Sequence, residues 1–260
     1  MQFDPCINFD VSNKTIYGQG FVCNDAQMEE IEQALVNDLL DNTGVCDLLK
    51  SMQSTDFDVD NLKICFESAQ SRYFKDWQIG ESLAKVFLEN TKNCHFPWPV
   101  SRDLKNLNSS LTGCDLPGVK LIGVDDYVLA FAEVKTSSQE DSPPSVMTGL
   151  KKQMECLINN EDKTINQLML YLGYRMNNDS HRGKAILAFA NYLKHDKYAV
   201  YGILVRTTKP SDRDIKSYVR KLSEKCELED VGIFALYVSR ESLNKIKQAV
   251  KNRKDEKDEK

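Results

Sequence analysis

At 260 residues and 41% hydrophobic content, the chain can bury one sizeable α/β core with an added subdomain, which excludes two large independent domains. Eight cysteines without a Cys-x-x-Cys pair, and three histidines that add no zinc-ligand spacing, exclude a thiolate metal centre. The net charge of −5 argues against a nucleic-acid enzyme only as an average, because residues 1–70 carry a net of −10 and residues 151–225 a net of +7.

In chain order, the N-terminus has no apolar stretch between a basic start and a cleavage site, and no run of about 18 apolar residues follows. The expectation is a soluble, reduced, cytoplasmic protein that makes no contact with a membrane. Residues 1–23 read as short extended pieces broken by Pro5, Gly18 and Gly20, and residues 25–41 as a helix with Met28, Ile31, Leu35 and Leu39 on one stripe. This acidic N-terminal subdomain is expected to span residues 1–70, with a loop at 54–61. Its charge would let it dock a basic partner or cover the chain's own DNA-binding face, against the plainer reading of solubility.

A helix at 80–90 places Ile79, Leu83, Val86 and Phe87 on its apolar face and Glu81 in its first turn. Residues 94–113 read as mostly irregular. Val119 to Lys135 then gives two apolar runs joined by Asp125-Asp126, a β-hairpin buried on both faces. After a Ser/Pro loop at 137–145 come helices at 146–159 and 162–177 and an apolar segment at 185–193. Strands follow at 199–206 and 231–238, with a helix at 211–225 between them capped by Ser211 and Asp212. A last helix after Ser239 is expected to fray into a charged tail, residues 251–260.

Glu133 and Lys135, two apart on a strand, leave the same face at the end of an apolar run. With the turn centred on Asp125-Asp126, Glu133 falls opposite Gly118 and Lys135 opposite Leu116, so Asp115 stands beside both. Two carboxylates and a lysine suit phosphodiester cleavage: hard oxygens hold Mg²⁺ or Mn²⁺, and the lysine positions water or offsets charge on the phosphorane-like transition state. The triplet alone is weak, since Asp/Glu-x-Lys recurs at Asp103/Lys105, Glu161/Lys163, Asp214/Lys216, Asp255/Lys257 and Asp258/Lys260. Only Glu133/Lys135 ends an apolar hairpin with an acid at its mouth. The competing reading is an ion pair on a sheet rim.

Further along, Gln167, Tyr171 and Tyr174 share one face of the helix at 162–177, as a site or as a packing group. Asp125 and Asp126 read as turn residues, and His181 and His195 as solvated surface. Lys151, Lys152, Arg175, Arg182 and Lys184 could line a phosphate track or form a solvated face.

Gly113-Cys114-Asp115, Glu133-Val134-Lys135-Thr136 and Gln167-Leu168-Met169-Leu170-Tyr171 resemble the G-x-D, (D/E)-x-K-T and Q-x-x-x-Y motifs of the PD-(D/E)xK nuclease superfamily, especially its RecB-like branch. Glu81 matches the extra acid that many members carry, whereas the proline that often precedes the first acid is absent. The likeness covers about residues 78–240. More narrowly, the Gly80-Glu81 helix, the Asp115-Leu116-Pro117-Gly118 segment, the hairpin and the two later strands are similar in layout to HamA, the nuclease-subunit family of the Hachiman anti-phage defence system.

The resemblance implies a restriction-endonuclease-like mixed sheet flanked by helices, with the nuclease domain at 71–250. It also implies that Asp115, Glu133 and Glu81 hold the metal, that Lys135 assists, and that Gln167 and Tyr171 support the site. DNA would be the substrate and a HamB-like helicase the controlling partner. Two other functions remain open: a stand-alone restriction or resolvase-like endonuclease, and a catalytically silent docking subunit for a helicase.

Overall fold

The computed structural model describes residues 3–10, 16–52, 61, 64, 74–103, 113–176, 182–224, 226, 228 and 230–258. The loop expected at 54–60, the boundary near residue 70 and His181 lie outside the described residues. Among the described residues no helix is long and apolar enough to cross a membrane.

The first elements are strands β1 (Asp4–Asp10) and β2 (Ile16–Cys23), then helices α1 (Asp25–Leu40), α2 (Asn42–Met52) and α3 (Asp76–Lys92). The short strand β3 (Cys94–His95) leads to the hairpin β4 (Leu116–Gly123) and β5 (Asp126–Ser137). Helices α4 (Val146–Ile158), α5 (Thr164–Arg175) and α6 (Arg182–His195) precede strand β6 (Tyr198–Arg206). Helix α7 (Lys216–Ser223), strand β7 (Asp230–Val238) and helix α8 (Arg240–Asp258) complete the order.

All seven strands form one sheet in the order β1-β2-β7-β6-β5-β4-β3. Strands β2, β7, β6 and β5 run parallel, and β1, β4 and β3 join antiparallel, so the sheet is mixed. Every residue of β6 is buried, as expected of a central parallel strand covered on both faces. One face carries α1, α3 and α8 through Leu35, Leu83, Phe87, Phe234 and Ile246. The other carries α4 to α7 through Met147, Leu150, Leu172, Ala188 and Val219.

Local chemistry sets these elements. In α1 the Asn24 side chain accepts the Gln27 N–H at 3.0 Å while the Gln27 side chain accepts the Asn24 N–H at 2.8 Å. Residues 1–23 supply two strands of the main sheet, and α1 packs on α3 and α8. The segment at 185–193 is the core of α6. The expected 211–225 helix is instead a 3₁₀ turn at 212–214 followed by α7, and Ser211 donates no side-chain cap. The Ser211 N–H is itself held by the Tyr237 hydroxyl, which accepts it at 3.1 Å. The last helix continues to Asp258 rather than fraying at residue 251.

A candidate carboxylate and lysine site

The hairpin register differs from the expected one by three residues: Leu116 pairs with Ala132 and Gly118 with Ala130. Two local causes add up. The turn residues are Val124 and Asp125, so the turn falls one position earlier, and a further slip lies between Leu121 and Gly123. Asp125 takes the left-handed conformation at φ 52°, and Asp126 already belongs to β5. β4 therefore begins opposite Ala132, which leaves Glu133 level with Asp115, just outside the pairing.

Asp115 is delivered to this position by Gly113 and Cys114. Gly113 has φ 105°, a conformation that a side chain would strain, and a Cβ there would meet Leu168 of α5 at 3.6 Å. Cys114 donates its thiol to the Ala132 carbonyl at 3.2 Å, and the Asp115 Oδ2 accepts the Val134 N–H at 2.7 Å. The carboxylate thus caps the open end of the hairpin, a charge-assisted bond that fixes its direction.

Lys135 Nζ lies 3.7 Å from Asp115 Oδ2 and 3.9 Å from Glu133 Oε2. The three groups expected to converge do so. Glu133 is only 1% exposed, and neither of its oxygens has a hydrogen-bond donor. Burial, then the charge of Asp115, push its carboxyl well above the ordinary value; protonated, it can give that proton to Asp115. A buried carboxylate without donors is costly, so an ionised Glu133 calls for a cation.

Glu81, on α3, lies within electrostatic range of Asp115 and Lys135. Gly80 makes the approach possible: a Cβ there would stand 2.0 Å from Thr136 Oγ1, so only glycine lets α3 lie this close to β5. Glu81 is buried, and burial followed by the Asp115 charge raises its pKa to about 9, against a partial lowering by Lys135. Three acids and one lysine share a field in which all three carboxylates cannot ionise unaided.

One turn beyond Glu81, Lys85 is buried and gives hydrogen bonds to Asp38 Oδ1 at 2.6 Å and to the Trp98 carbonyl at 3.0 Å. Asp38 belongs to α1, so the front section is bolted to α3 directly behind the site. The sequence reading missed both residues. Each looks like an ordinary helix charge, and their separation of 47 positions leaves no local signal.

The remaining candidates face solvent or hold other partners. Gln167 is exposed on α5 and has no hydrogen bond to the four charged groups among the described residues. Tyr171 packs edge-on against Trp98 at 5.6 Å, with the Arg175 guanidinium 5.8 Å over its ring. Asp126 accepts from Asn191 at 2.6 Å at the far end of the hairpin. His195 is exposed; Lys151 pairs with Glu155 at 2.7 Å, and Lys184 lies 5.9 Å over the Tyr127 ring.

For a hard divalent cation the donor chemistry fits: Glu133 has two orphaned buried oxygens, and Asp115 and Glu81 add carboxylates. Among the described residues no group of three or more His, Cys, Asp or Glu side chains is placed to hold a metal ion. A scan of the chain against models of protein families and a search of curated proteins find no match.

Proposed function

We propose that this chain is a metal-dependent nuclease of the PD-(D/E)xK type, acting on DNA. The observation that carries the reading is the meeting of Asp115, Glu133 and Lys135 at the open end of a hairpin, with Glu133 buried and without a donor. The basic balance of residues 151–225, the mixed sheet and the α3 position of Glu81 support it.

In this reading Glu133, Asp115 and Glu81 would hold Mg²⁺ or Mn²⁺, which, when bound, supplies a Lewis acid for the phosphate and an acidified water. The chain's own residues do the rest. The Val134 N–H fixes the direction of Asp115, and Lys135 offers its ammonium to the phosphate or the attacking water. Gly80 sets the depth of Glu81, and the hydrophobic faces of β5 keep bulk water from Glu133. Control by a HamB-like helicase within an anti-phage system is the biological setting that the resemblance favours.

A second reading, a catalytically silent docking subunit, draws on one observation: Lys135 already lies within ion-pair distance of both acids. Cleavage of plasmid DNA separates the two. The nuclease cuts with Mg²⁺, fails in EDTA, and loses activity by a factor of about 10² or more in Glu133→Gln or Lys135→Ala. The assay is run with and without a candidate helicase, which also distinguishes a stand-alone endonuclease from a controlled one. Equal DNA breakage by wild type and Glu133→Gln would end the nuclease reading.

A further inference from the structure

The end of β5, the start of α3 and one face of α8 enclose a cleft of about 490 Å³ beside the carboxylate cluster. Its walls carry four hydroxyls, from Thr136, Ser137, Ser138 and Thr207, and two lysines, Lys75 and Lys247. Thr136 Oγ1 is buried with no hydrogen-bond partner. The lining also includes Asp76, but that carboxylate is paired with Lys247 and with Arg240 outside the cleft, each at 2.5 Å, so the three charged lining groups sum to +1. Lys75 is exposed, and its backbone N–H, not its side chain, closes the helix start by bonding to Gln78 at 2.9 Å.

Hydroxyl protons together with a net positive charge select an anion, and several donors arranged around one cavity suit a group with several oxygens. The cleft shares both of its main elements with the charged cluster. Ser137 follows Lys135 by two residues on β5, about 7 Å along the strand, and Asp76 precedes Glu81 on α3. We propose that this cleft holds a backbone phosphate of the nucleic-acid strand being cut, next to the one at Lys135. The proposal rests on the nuclease reading of the cluster and adds a subsite that orients the strand.

The test uses the full chain in EDTA, so that binding is measured without cleavage. The probes are a labelled single-stranded DNA oligonucleotide and, separately, inorganic phosphate as competitor. Lys75→Gln and Ser138→Ala both alter exposed side chains and keep the circular dichroism of wild type. Lys75→Gln is expected to weaken oligonucleotide binding and to lower the slope of log affinity against log salt by about one. Ser138→Ala is expected to weaken it less, with an unchanged slope, and inorganic phosphate is expected to compete with wild type more effectively than with Lys75→Gln.

Wild-type binding with an unaltered affinity and slope in Lys75→Gln would overturn the subsite while leaving the nuclease reading intact. No oligonucleotide binding by wild type would overturn the subsite, and plasmid cleavage with Mg²⁺ decides the nuclease reading separately. Phosphate bound at the cleft without any effect on DNA binding would make it a small-anion site and overturn the proposal.

Discussion

A carboxyl that is 1% exposed and receives no hydrogen bond resists ionisation, and Glu133 is in that position. Its folded pKa is raised above the ordinary 4.5, and that of Glu81 reaches about 9. Between the unfolded and folded values the native chain keeps protons that the unfolded chain has released, so stability falls as pH rises through that window. Below about pH 4.5 the penalty is absent. In EDTA the melting temperature is therefore expected to fall from pH 5 to pH 9, and Mg²⁺ to recover part of the loss at the upper end. Glu133→Gln, which removes the titration, should raise stability at pH 8 by on the order of 1 kcal/mol or more. A flat wild-type profile in thermal melts would contradict this.

At the same scale, Asp115, Glu133 and Lys135 were legible because charge at the end of an apolar strand is unusual enough to stand out. Lys85 and Asp38 were not, since charge on a helix is ordinary until the partner helix is known. Arg206 and Asp214 were hidden in the same way. Arg206 ends an apolar run, Asp214 sits in a mixed-charge turn, and only the fold makes both 0% exposed.

The elements depend on a few close approaches. Gly80→Ala would drive a methyl group into Thr136 and push α3 off β5, an overpacking cost of about 1–3 kcal/mol. Because Glu81 rides on α3, the same change should reduce DNA cleavage more than stability alone explains; Thr136→Ala in the same chain should recover much of the denaturation midpoint. Arg206 Nε lies 3.4 Å from Asp214 Oδ2, and Arg206 Nη2 also donates to the Asp141 carbonyl at 3.0 Å, tying β6 to the turn before α7 and to the loop after β5. Arg206→Met would strand a buried carboxylate and cost about 3–5 kcal/mol, with Arg206→Met/Asp214→Asn less damaging than the single change. Urea denaturation of the two proteins checks the order.

Element types and approximate limits were readable from periodicity, whereas the Asn24 and Gln27 capping box became visible only in the structure. The hairpin register was not. Asp125-Asp126 looks like the centre of a turn, but the chain turns at Val124, which is 97% exposed, and Asp126 is held in the strand by Asn191. The convergence of Asp115 with Glu133 survived the three-residue difference because the shift moves Asp115 from a place opposite Thr136 to one opposite Glu133, and either place lies beside the Glu133 and Lys135 pair.

On the scale of the whole molecule, the acidic front section is woven into the sheet. β2 pairs with β7 along its full length, and α1 buries Met28, Ile31, Leu35 and Leu39 against the same core as α3 and α8. Several of its acids act as brackets: Asp38 holds Lys85, Asp41 takes two bonds from Arg102 at 2.6 and 2.7 Å, and Asp25 accepts from Ser242 at 2.6 Å. Deleting residues 1–40 should therefore expose the edge of β7 and give an aggregating or non-cooperatively melting chain. A soluble truncated chain with tighter DNA binding would instead support the masking role that the charge pattern suggested.

The central claim is that Glu133, with Asp115 and Glu81, forms a site for a hard divalent cation. Manganese binding followed by electron paramagnetic resonance tests it most directly, because it needs neither substrate nor partner. The account predicts saturable Mn²⁺ binding by the wild-type chain, competed by Mg²⁺ and weakened at least tenfold in Glu133→Gln. Equal binding by the two proteins, or none by either, would contradict it.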